Sequence, residues 1–308
     1  MSRFHRRPAR VAGIVLLTAA LAALAPSTSS MASPVPAPPA SVASAPARVG
    51  GWSTLPAACV GGISHIRTDS ELRMGGVDAS GPWLTPFGDT GLTGPTAAWT
   101  YSGFQYDGSA GGDPFSDYLA IGADGLLWDV MVTDTFAAGS EQMLGAGAGW
   151  GSVRSLTWAG RTTIVYGLRG NALVRYGFGA NSSGIYVSSS RVIASSGWGG
   201  VRKIASGGTA TVGGRAVDTL YVITTAGALN LYTVDRATNV LRGYPLRTTG
   251  WQNVTQLNAE RCDANAGVTL VGVMNGSAYL YRDPVSDAKG DIISYGLITK
   301  GMTGALIS

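Results

Sequence analysis

Residues that could carry out catalysis are few in this chain of 308 residues. Beyond the first ten positions there is one histidine, His65, so a Ser-His-Asp arrangement has a single possible general base. His65 lies in an apolar run, which favours an ordinary hydrogen-bonded strand residue. No histidines and cysteines cluster with the spacing of metal ligands, and no glycine-rich loop opens a helix as in phosphate-binding sites. We therefore expect neither a metal nor a cofactor.

A carboxylate pair is the remaining route to an enzyme, because glycosidases place two acidic residues on either side of the scissile bond. The available glutamates are Glu71, Glu141 and Glu260. Glu71 flanks a turn, Glu141 follows a loop of small residues, and Glu260 lies close to a cysteine. They do not occupy equivalent positions. We expect a protein that is not an enzyme. The alternatives are a secreted glycosidase and a scaffold that binds other proteins.

Aromatic and amide side chains offer a different chemistry, which is sugar recognition. An aromatic ring packs on the apolar C–H face of a pyranose, while amides, carboxylates and backbone groups hydrogen-bond its hydroxyls. The candidate carbohydrate-binding residues are Trp99, Trp150, Trp198, Trp251, Arg154, Arg202, Asp124, Asn171, Asn230 and Asn275, with Asn253 of similar character. Each also has a structural interpretation, because a once-per-repeat aromatic packs between repeats and Asn and Asp are common in turns.

The tryptophans mark an internal repeat. Gly-Trp occurs at Gly51, Gly149, Gly197 and Gly250, and Ala98-Trp99 is a variant. Successive tryptophans of this series are separated by 47, 51, 48 and 53 residues. A degenerate copy, GMTGAL, occupies residues 301–306. Five units therefore extend over residues 51–308.

Each unit contains short apolar runs separated by turn residues. In the fourth unit the runs are LYVI (220–223) and LNLY (229–232). In the fifth they are LVGV (270–273) and AYLY (278–281), joined by Asn275-Gly276. Short runs of β-branched and aromatic residues joined by Asn-Gly are typical of hairpins. A further apolar piece precedes each next Gly-Trp, so we predict four strands per unit and no helix.

Four strands repeated at this period are typical of β-propeller blades. The predicted fold is all-β, a five-bladed β-propeller of four-stranded antiparallel blades. A pair of β-sandwiches is the alternative, but it leaves the period and the matching tryptophans unexplained. Residues 51–55 and the copy at 301–306 both fit the first strand of the first blade, and the sequence leaves that competition open.

The first 32 residues have the features of a secretory signal peptide. Four arginines precede a 15-residue apolar run, residues 11–25, which is too short for an ordinary membrane-spanning helix. Small residues at Ser30-Met31-Ala32 provide a cleavage site, and an uncleaved anchor is the alternative. Residues 33–50 are rich in Pro, Ala and Ser, which is typical of an extended spacer. We expect a secreted, extracellular protein with no membrane span after cleavage.

Charge argues against a nucleic-acid partner. The full chain has 22 basic and 18 acidic residues, and four of the basic ones lie in the leader. The mature chain is therefore close to neutral, with charges that occur singly. It shows no basic stripe of the kind that releases counterions from phosphates.

Two cysteines, Cys59 and Cys262, lie in the first and fifth units. An even pair in an exported protein indicates one disulfide, although two buried thiols are the alternative. The first and fifth units are neighbours only if the units form a closed circle. A disulfide between them would join the two ends of that circle.

The repeat resembles the tachylectin family, lectins built as five-bladed propellers. The motifs that carry the resemblance are GW-x2-V, a run such as LYVI, a glycine turn and LNLY. They are best preserved in residues 197–204 with 220–232, and in residues 117–128 (DYLAIGADGLLW). The resemblance implies non-catalytic binding of glycans, namely N-acetylated sugars on cell surfaces, at one equivalent site per blade. The units vary in length and Trp99 lacks its glycine, so the number of working sites stays open.

Overall fold

A computed structural model provides the structure. It describes residues 48–59, 61–66, 71–78, 81–89, 98–101, 116–121, 125–132, 138–145, 149–160, 163–181, 184–262, 266–284, 291–302 and 305–306, all within the unit Ala32–Ser308. Over these residues the secondary structure is β-strand apart from three short 3-10 helices, at Trp52–Thr54, Ala57–Cys59 and Trp150–Ser152. Within the same residues, no helix has the length and apolar character needed to cross a membrane.

The strands of this part of the chain form five sheets, which we number along the sequence. Sheet 1 contains β2 (Gly61–Ile66), β3 (Glu71–Asp78), β4 (Gly81–Asp89) and β21 (Ala305–Leu306). Sheet 2 contains β5 (Ala98–Tyr101), β6 (Ser116–Ile121), β7 (Leu127–Val132) and β8 (Ala138–Gly145). Sheet 3 contains β9 (Val153–Trp158), β10 (Ile164–Arg169), β11 (Ala172–Asn181) and β12 (Gly184–Ala194).

The last two sheets follow the same plan. Sheet 4 contains β13 (Val201–Val212), β14 (Arg215–Thr224), β15 (Leu229–Asp235) and β16 (Leu241–Arg247). Sheet 5 contains β17 (Val254–Arg261), β18 (Val268–Met274), β19 (Ser277–Asp283) and β20 (Ile293–Lys300), with β1 (Arg48–Val49) as a fifth strand. In sheets 2 to 5 the four strands of the unit pair antiparallel in sequence order, and in sheet 1 β21 stands first, ahead of β2, β3 and β4. This confirms the prediction of four-stranded antiparallel sheets.

The first strands of successive sheets lie beside one another. β5 contacts β9, β9 contacts β13 and β13 contacts β17. β21, the first strand of sheet 1, contacts both β17 and β5. The first strands of all five sheets are therefore joined by an unbroken series of contacts.

Apolar clusters fill the spaces between neighbouring sheets. One cluster joins Leu119 and Leu127 of sheet 2 to Leu156 of sheet 3, and equivalent clusters join sheets 3 and 4 and sheets 4 and 5. β14 shows the cause most clearly, because residues 217–223 are buried without alternation. A strand covered on both faces needs apolar side chains on both, which explains the unbroken LYVI run. Each such fully buried side chain contributes about 1.5–3 kcal/mol.

The turn chemistry of the hairpins follows the sequence. Asn275 and Gly276 join β18 to β19 with positive φ angles of 50° and 69°. This is the backbone of the type I′ turn that the Asn-Gly pair predicts. Gly213 and Gly214 join β13 to β14 in the same region of φ, at 57° and 77°.

The two ends of the described chain add strands to different sheets. β21 pairs antiparallel with β2, with Leu306 opposite His65, so the C-terminal copy of the repeat occupies the first strand position of sheet 1. The N-terminal copy instead forms the 3-10 helix at Trp52–Thr54. Just before it, β1 pairs in parallel with β20 at the edge of sheet 5. This settles the competition between the two copies in favour of residues 305–306.

The two cysteines are joined. Cys59 and Cys262 form a disulfide across a sequence separation of 203 residues, with their Cα atoms 4.3 Å apart. Both residues are buried in a cluster with Leu55, Val271 and Tyr295. The predicted disulfide is therefore present, and it attaches the N-terminal segment to sheet 5.

Candidate functional site

The tryptophans of the repeat lie in the turns that lead into the first strands. Trp150, Trp198 and Trp251 come directly before β9, β13 and β17. In each case the tryptophan carbonyl accepts a hydrogen bond from the N–H of the valine three residues later, at 3.1 Å from Val201 and from Val254. We call residues 150–153, 198–201 and 251–254 the lead-in turns. Trp99 differs, because it lies inside β5 and not before it, which corrects its assignment as a Gly-Trp variant.

Each lead-in turn is bonded to a hairpin of the preceding sheet. The N–H of Trp198 donates to the carbonyl of Asn171 at 3.3 Å, and that of Trp251 donates to Gly227 at 3.0 Å. Met302, in the degenerate copy, donates in the same way to Gly276 at 2.9 Å. The same backbone junction therefore recurs between sheets 3 and 4, sheets 4 and 5, and sheets 5 and 1.

The tryptophan rings are packing residues. Trp150, Trp198 and Trp251 are only 6%, 2% and 6% exposed. Each ring contacts a tyrosine of the third strand of its own sheet, with centroids 4.6–5.1 Å apart; these are Tyr176, Tyr232 and Tyr281. The other side of each ring meets the preceding sheet. No ring face is open to a pyranose, which corrects the sugar-stacking interpretation of these three residues.

The two recurring arginines connect neighbouring sheets. Arg154 of sheet 3 donates to the carbonyl of Gly170 at 2.6 Å, and to the carbonyls of Trp198 and Val201 in the next lead-in turn at 2.5 and 2.8 Å. Arg202 of sheet 4 repeats this, donating to the carbonyls of Gln252 and Val254. Burial lowers the pKa of Arg154 from its usual value. Their guanidinium groups satisfy backbone carbonyls, so direct sugar binding by these arginines is not supported.

The remaining residues predicted to bind sugar differ in their exposure. Asn171 is exposed, but its side-chain oxygen accepts the N–H of Gly199 at 2.5 Å, so it too holds a lead-in turn. Asn230 is buried within β15, where it is only 6% exposed. Asn275 is exposed at the tip of its turn, next to the junction with Met302. Asp124 lies outside the described residues, as does the side chain of Trp99.

Several exposed residues at these junctions are small or polar and uncharged. Gly199, Gly200 and Thr225 are exposed where sheets 3 and 4 meet, and the N–H of Thr225 donates to Gly200 at 2.8 Å. Gln252 and Asn253 are exposed in the next lead-in turn. Sequence reasoning missed Thr225 and Gln252. Their positions in the repeat could have identified them. Thr225 lies in the hairpin between the second and third strands of sheet 4, and Gln252 directly follows the repeat tryptophan Trp251.

A second polar feature crosses the junction of sheets 3 and 4. Thr157, Tyr166 and Arg175 are directly opposite one another on β9, β10 and β11, and so share one face of sheet 3. Each makes a hydrogen bond to sheet 4. Thr157 accepts from the N–H of Ser206 at 2.7 Å, the Tyr166 hydroxyl donates to Asp218 at 2.8 Å, and Arg175 donates to Asn239 at 2.9 Å.

Burial is the main cause of the shifted pKa values of Asp218 and Tyr166. Asp218 has no exposed surface, and desolvation raises the pKa of its carboxyl although hydrogen bonds from Tyr166 and Thr209 and the charge of Arg236 act in the opposite direction. Burial, followed by the charge of Asp218, raises the pKa of the Tyr166 hydroxyl well above its usual value. The tyrosine therefore remains a hydrogen-bond donor at any physiological pH.

The glutamates of the glycosidase alternative are on three different sheets. Glu71 is on β3 of sheet 1, Glu141 on β8 of sheet 2 and Glu260 on β17 of sheet 5. His65, the candidate base, is on β2. Among the described residues, no group of three or more His, Cys, Asp or Glu residues is arranged to hold a metal ion.

Comparison with known proteins identifies no family. No protein-family model matches the chain, and the search of curated proteins gives no match. Among solved structures, the chain is similar to the SapL1 lectin in complex with alpha-methyl fucoside, with 14% identity, a TM-score of 0.43, and 83% of this chain and 85% of that chain covered.

Two further solved structures are similar at the same level. A triple arginine-to-alanine mutant of AofleA from Arthrobotrys oligospora shows 10% identity and a TM-score of 0.42, over 78% of this chain and 74% of that chain. The hemopexin fold protein CP4 from cow pea shows 10% identity and a TM-score of 0.39, over 67% of this chain and 93% of that chain. Alignments with TM-scores of this size are loose, so function has to rest on the residues of this chain.

Proposed function

We propose that the five sheets are the blades of a five-bladed β-propeller. The unbroken contacts among the first strands, from β21 through β5, β9, β13 and β17 back to β21, support this arrangement. In a closed ring the strand pairing of β21 with β2 and the Cys59–Cys262 disulfide fasten the same seam from both ends of the chain. A ring of this kind presents all of its lead-in turns on one face, because every first strand starts there.

The proposed function is non-catalytic binding of carbohydrate at the junctions between blades. One observation carries the proposal, which is the recurrence of the hydrogen bond from a lead-in turn to the preceding hairpin, at Trp198, Trp251 and Met302. Each junction brings small residues and polar backbone groups together, and at two of them Arg154 or Arg202 bonds the carbonyls of the lead-in turn. Neutral hydroxyl groups are bound by backbone and amide groups of this type.

N-acetylated sugars are the proposed ligand class, in line with the resemblance to tachylectins. An acetamido group offers one N–H donor and one carbonyl acceptor, which match Asn275 and Thr225 at their respective junctions. A single weak site of this kind, with a millimolar dissociation constant, corresponds to only about 4 kcal/mol. Several sites on one face gain avidity on a glycan-coated surface, which gives repetition a purpose.

Calorimetry and a glycan array with the purified protein test this proposal. We expect binding to N-acetylglucosamine or N-acetylgalactosamine ligands, and weaker binding to alpha-methyl fucoside and glucose. Thr225→Val removes a hydroxyl at one junction and Asn275→Gly removes an amide at another while keeping the positive φ. Each should lower the number of sites or the avidity. Thr211→Val, at an exposed position at the far end of β13, is the matched control and should bind as the parent protein does.

Absence of binding to every neutral sugar on the array would overturn the proposal. Release of reducing sugar from a glycan, abolished by substituting Glu71, Glu141 or Glu260, would establish the glycosidase alternative instead. Capture of a partner protein that persists after enzymatic deglycosylation would favour a protein-binding scaffold.

We also propose that the protein is exported, with residues 1–32 removed. Residues 33–50 would serve as a spacer before the propeller at residues 51–308, and the end of this spacer, β1, pairs with the edge of sheet 5. The disulfide supports an oxidising compartment. N-terminal sequencing of protein recovered from the culture medium should begin at Ser33. Recovery of the full-length chain from the membrane fraction would favour an uncleaved anchor.

A further inference from the structure

The near-neutral charge of the mature chain conceals an uneven distribution. Residues 51–148 contain eleven acidic and two basic residues. Residues 149–253, which form sheets 3 and 4, contain two acidic and eleven basic residues. Both acids are engaged internally: Asp218 accepts from Tyr166, and Asp235 accepts from the N–H groups of Ala237 and Thr238. Sheets 3 and 4 therefore carry a clear excess of basic over acidic residues.

Two of these arginines are directly opposite each other. Arg191 on β12 pairs with Arg175 on β11, which extends the row of Thr157 and Tyr166 to the outermost strand of sheet 3. Residues opposite each other on adjacent strands share a face, so both arginines face sheet 4. Like charges in this position are destabilising. Arg175 bonds Asn239 of sheet 4, whereas Arg191 is exposed at the edge.

The fold itself does not require charge at these positions. On sheet 4, Tyr221 corresponds to Tyr166, since its hydroxyl also bonds an aspartate of the next sheet, Asp283, at 2.7 Å. Residues opposite it on the two outer strands are Leu231 and, beyond that, Tyr244. Both pack into the apolar cluster between sheets 4 and 5. The same row therefore ends in two apolar side chains on sheet 4 and in two arginines on sheet 3.

A third arginine completes the cluster from the other side of the junction. Arg236, in the loop between β15 and β16, places its Nε 3.6 Å from the Asp218 carboxylate, and its side chain is 36% exposed. Asn239 of the same loop holds Arg175. Arg175 and Arg236 therefore both lie close to the fully buried Asp218, and the strand register places Arg191 beside Arg175 on the same face of sheet 3.

We propose that Arg175, Arg191 and Arg236 form a binding site for the anionic group of an acidic polysaccharide, a carboxylate or sulfate carried on a sugar ring. Guanidinium groups bind such oxyanions in bidentate geometry. This inference deepens the proposed function, on which it rests, by adding a charged sugar unit to the ligand. Three arginines at one blade junction fit one anionic group per sugar, whereas a duplex needs a basic stripe along its phosphates.

Binding of the purified protein to heparin and to uncharged dextran tests the site. We expect heparin to bind and dextran of equal length not to compete. Arg191→Gln should weaken heparin binding about tenfold, the value of one charge-assisted hydrogen bond. Arg242→Gln is the matched control, since Arg242 is also exposed on an outermost strand but pairs with Thr233, on the face of sheet 4 turned toward sheet 5. Its binding should be unchanged.

Other outcomes overturn the inference in distinct ways. Equal weakening by Arg191→Gln and Arg242→Gln would mean diffuse attraction and no site. Equally tight binding of double-stranded DNA would assign the cluster to nucleic acid. Salt-sensitive dimers in sedimentation that disappear in Arg191→Gln, without heparin binding, would assign it to the acidic sheets of a second copy. Neutral-sugar binding measured on the same samples separates this result from the proposed function, because either can fail while the other persists.

Discussion

The hydroxyl of Tyr166 on sheet 3 reaches 2.8 Å from the carboxylate of Asp218 on sheet 4, and Tyr221 on sheet 4 reaches Asp283 on sheet 5 at 2.7 Å. Both tyrosines are fully buried and lie at equivalent places in the second strand of their sheets. Each hydrogen bond crosses between neighbouring sheets whose shared core is mainly apolar. A directional polar contact of this kind fixes how far and in which register two sheets pack.

Removing the Tyr166 hydroxyl should destabilise the protein. In Tyr166→Phe, the buried Asp218 carboxylate loses one of its donors, and an unsatisfied buried acceptor costs about 1–3 kcal/mol. Chemical denaturation should show this loss in the free energy of unfolding. Tyr186→Phe is the control, because Tyr186 is 44% exposed and should change little. Equal stability of the two variants would contradict a stabilising role for the Tyr166–Asp218 bond.

The Asp218 carboxyl should make stability depend on pH. Since burial raises its pKa in the folded state, folding favours the protonated form. Its contribution is present below the unfolded pKa of about 4 and is lost as pH rises through the folded value. Asp218→Asn keeps an acceptor for Tyr166 but cannot ionise. The melting temperature of this variant relative to the parent should therefore increase between pH 4 and pH 7, and a constant difference would refute the shift.

Arg154 should be needed for stability more than for binding. Arg154→Met keeps the apolar stem but removes three hydrogen bonds to carbonyls, for a loss of about 1–3 kcal/mol, given partial exposure. Arg202→Met should behave alike. The exposed Arg242→Met provides the comparison and should lose little. If Arg154→Met melts like the parent but no longer binds sugar, Arg154 is a ligand residue after all.

Substitution of Trp198 should lower the stability of the protein without lowering its affinity for sugar. Trp198→Ala creates a cavity between sheets 3 and 4 and should cost about 3–5 kcal/mol of unfolding free energy. Trp198→Phe fills more of the space and should cost less. Because the indole face is covered, the folded Trp198→Phe protein should bind sugar with the parent affinity by calorimetry. Loss of affinity in a folded variant would restore the stacking interpretation.

The disulfide should contribute strongly to stability. Linking residues 203 apart constrains the unfolded chain by up to about 5 kcal/mol. The double variant Cys59→Ser/Cys262→Ser should therefore unfold at a much lower denaturant concentration. Reduction of the parent protein should lower its midpoint to a similar value. A midpoint that does not move on reduction would show that packing around Leu55 holds the segment without the covalent link.

The periodicity predicted the sheets well because their cause is local. Apolar runs, hairpin glycines and the Asn275-Gly276 pair lie within a few residues of the structure they produce. The Cys59–Cys262 disulfide followed from pairing the two available cysteines. The Trp99 position was misplaced because an aromatic residue in a strand resembles one in a lead-in turn when only spacing is compared.

The candidate site was harder to predict, since its partners are distant and often backbone atoms. Arg154 donates to backbone carbonyls 44 and 47 residues away. Every residue has such a carbonyl, so the sequence does not show which ones will accept a hydrogen bond. The opposed pair Arg175 and Arg191 becomes visible only when the register of β11 and β12 is known. Counting charges over the whole chain hid the contrast between the acidic and basic units.

The pairing of β21 with β2 has a consequence for the order of events during synthesis. Sheet 1 is encoded first, yet its first strand consists of Ala305 and Leu306, near the end of the sequence. Sheets 3 and 4 have all their strands once residue 247 has been made, while sheet 1 must wait about 220 residues after β4 for its partner. The part of the protein made earliest is thus the last to be completed, and a nascent chain released early would keep an unpaired edge on β2.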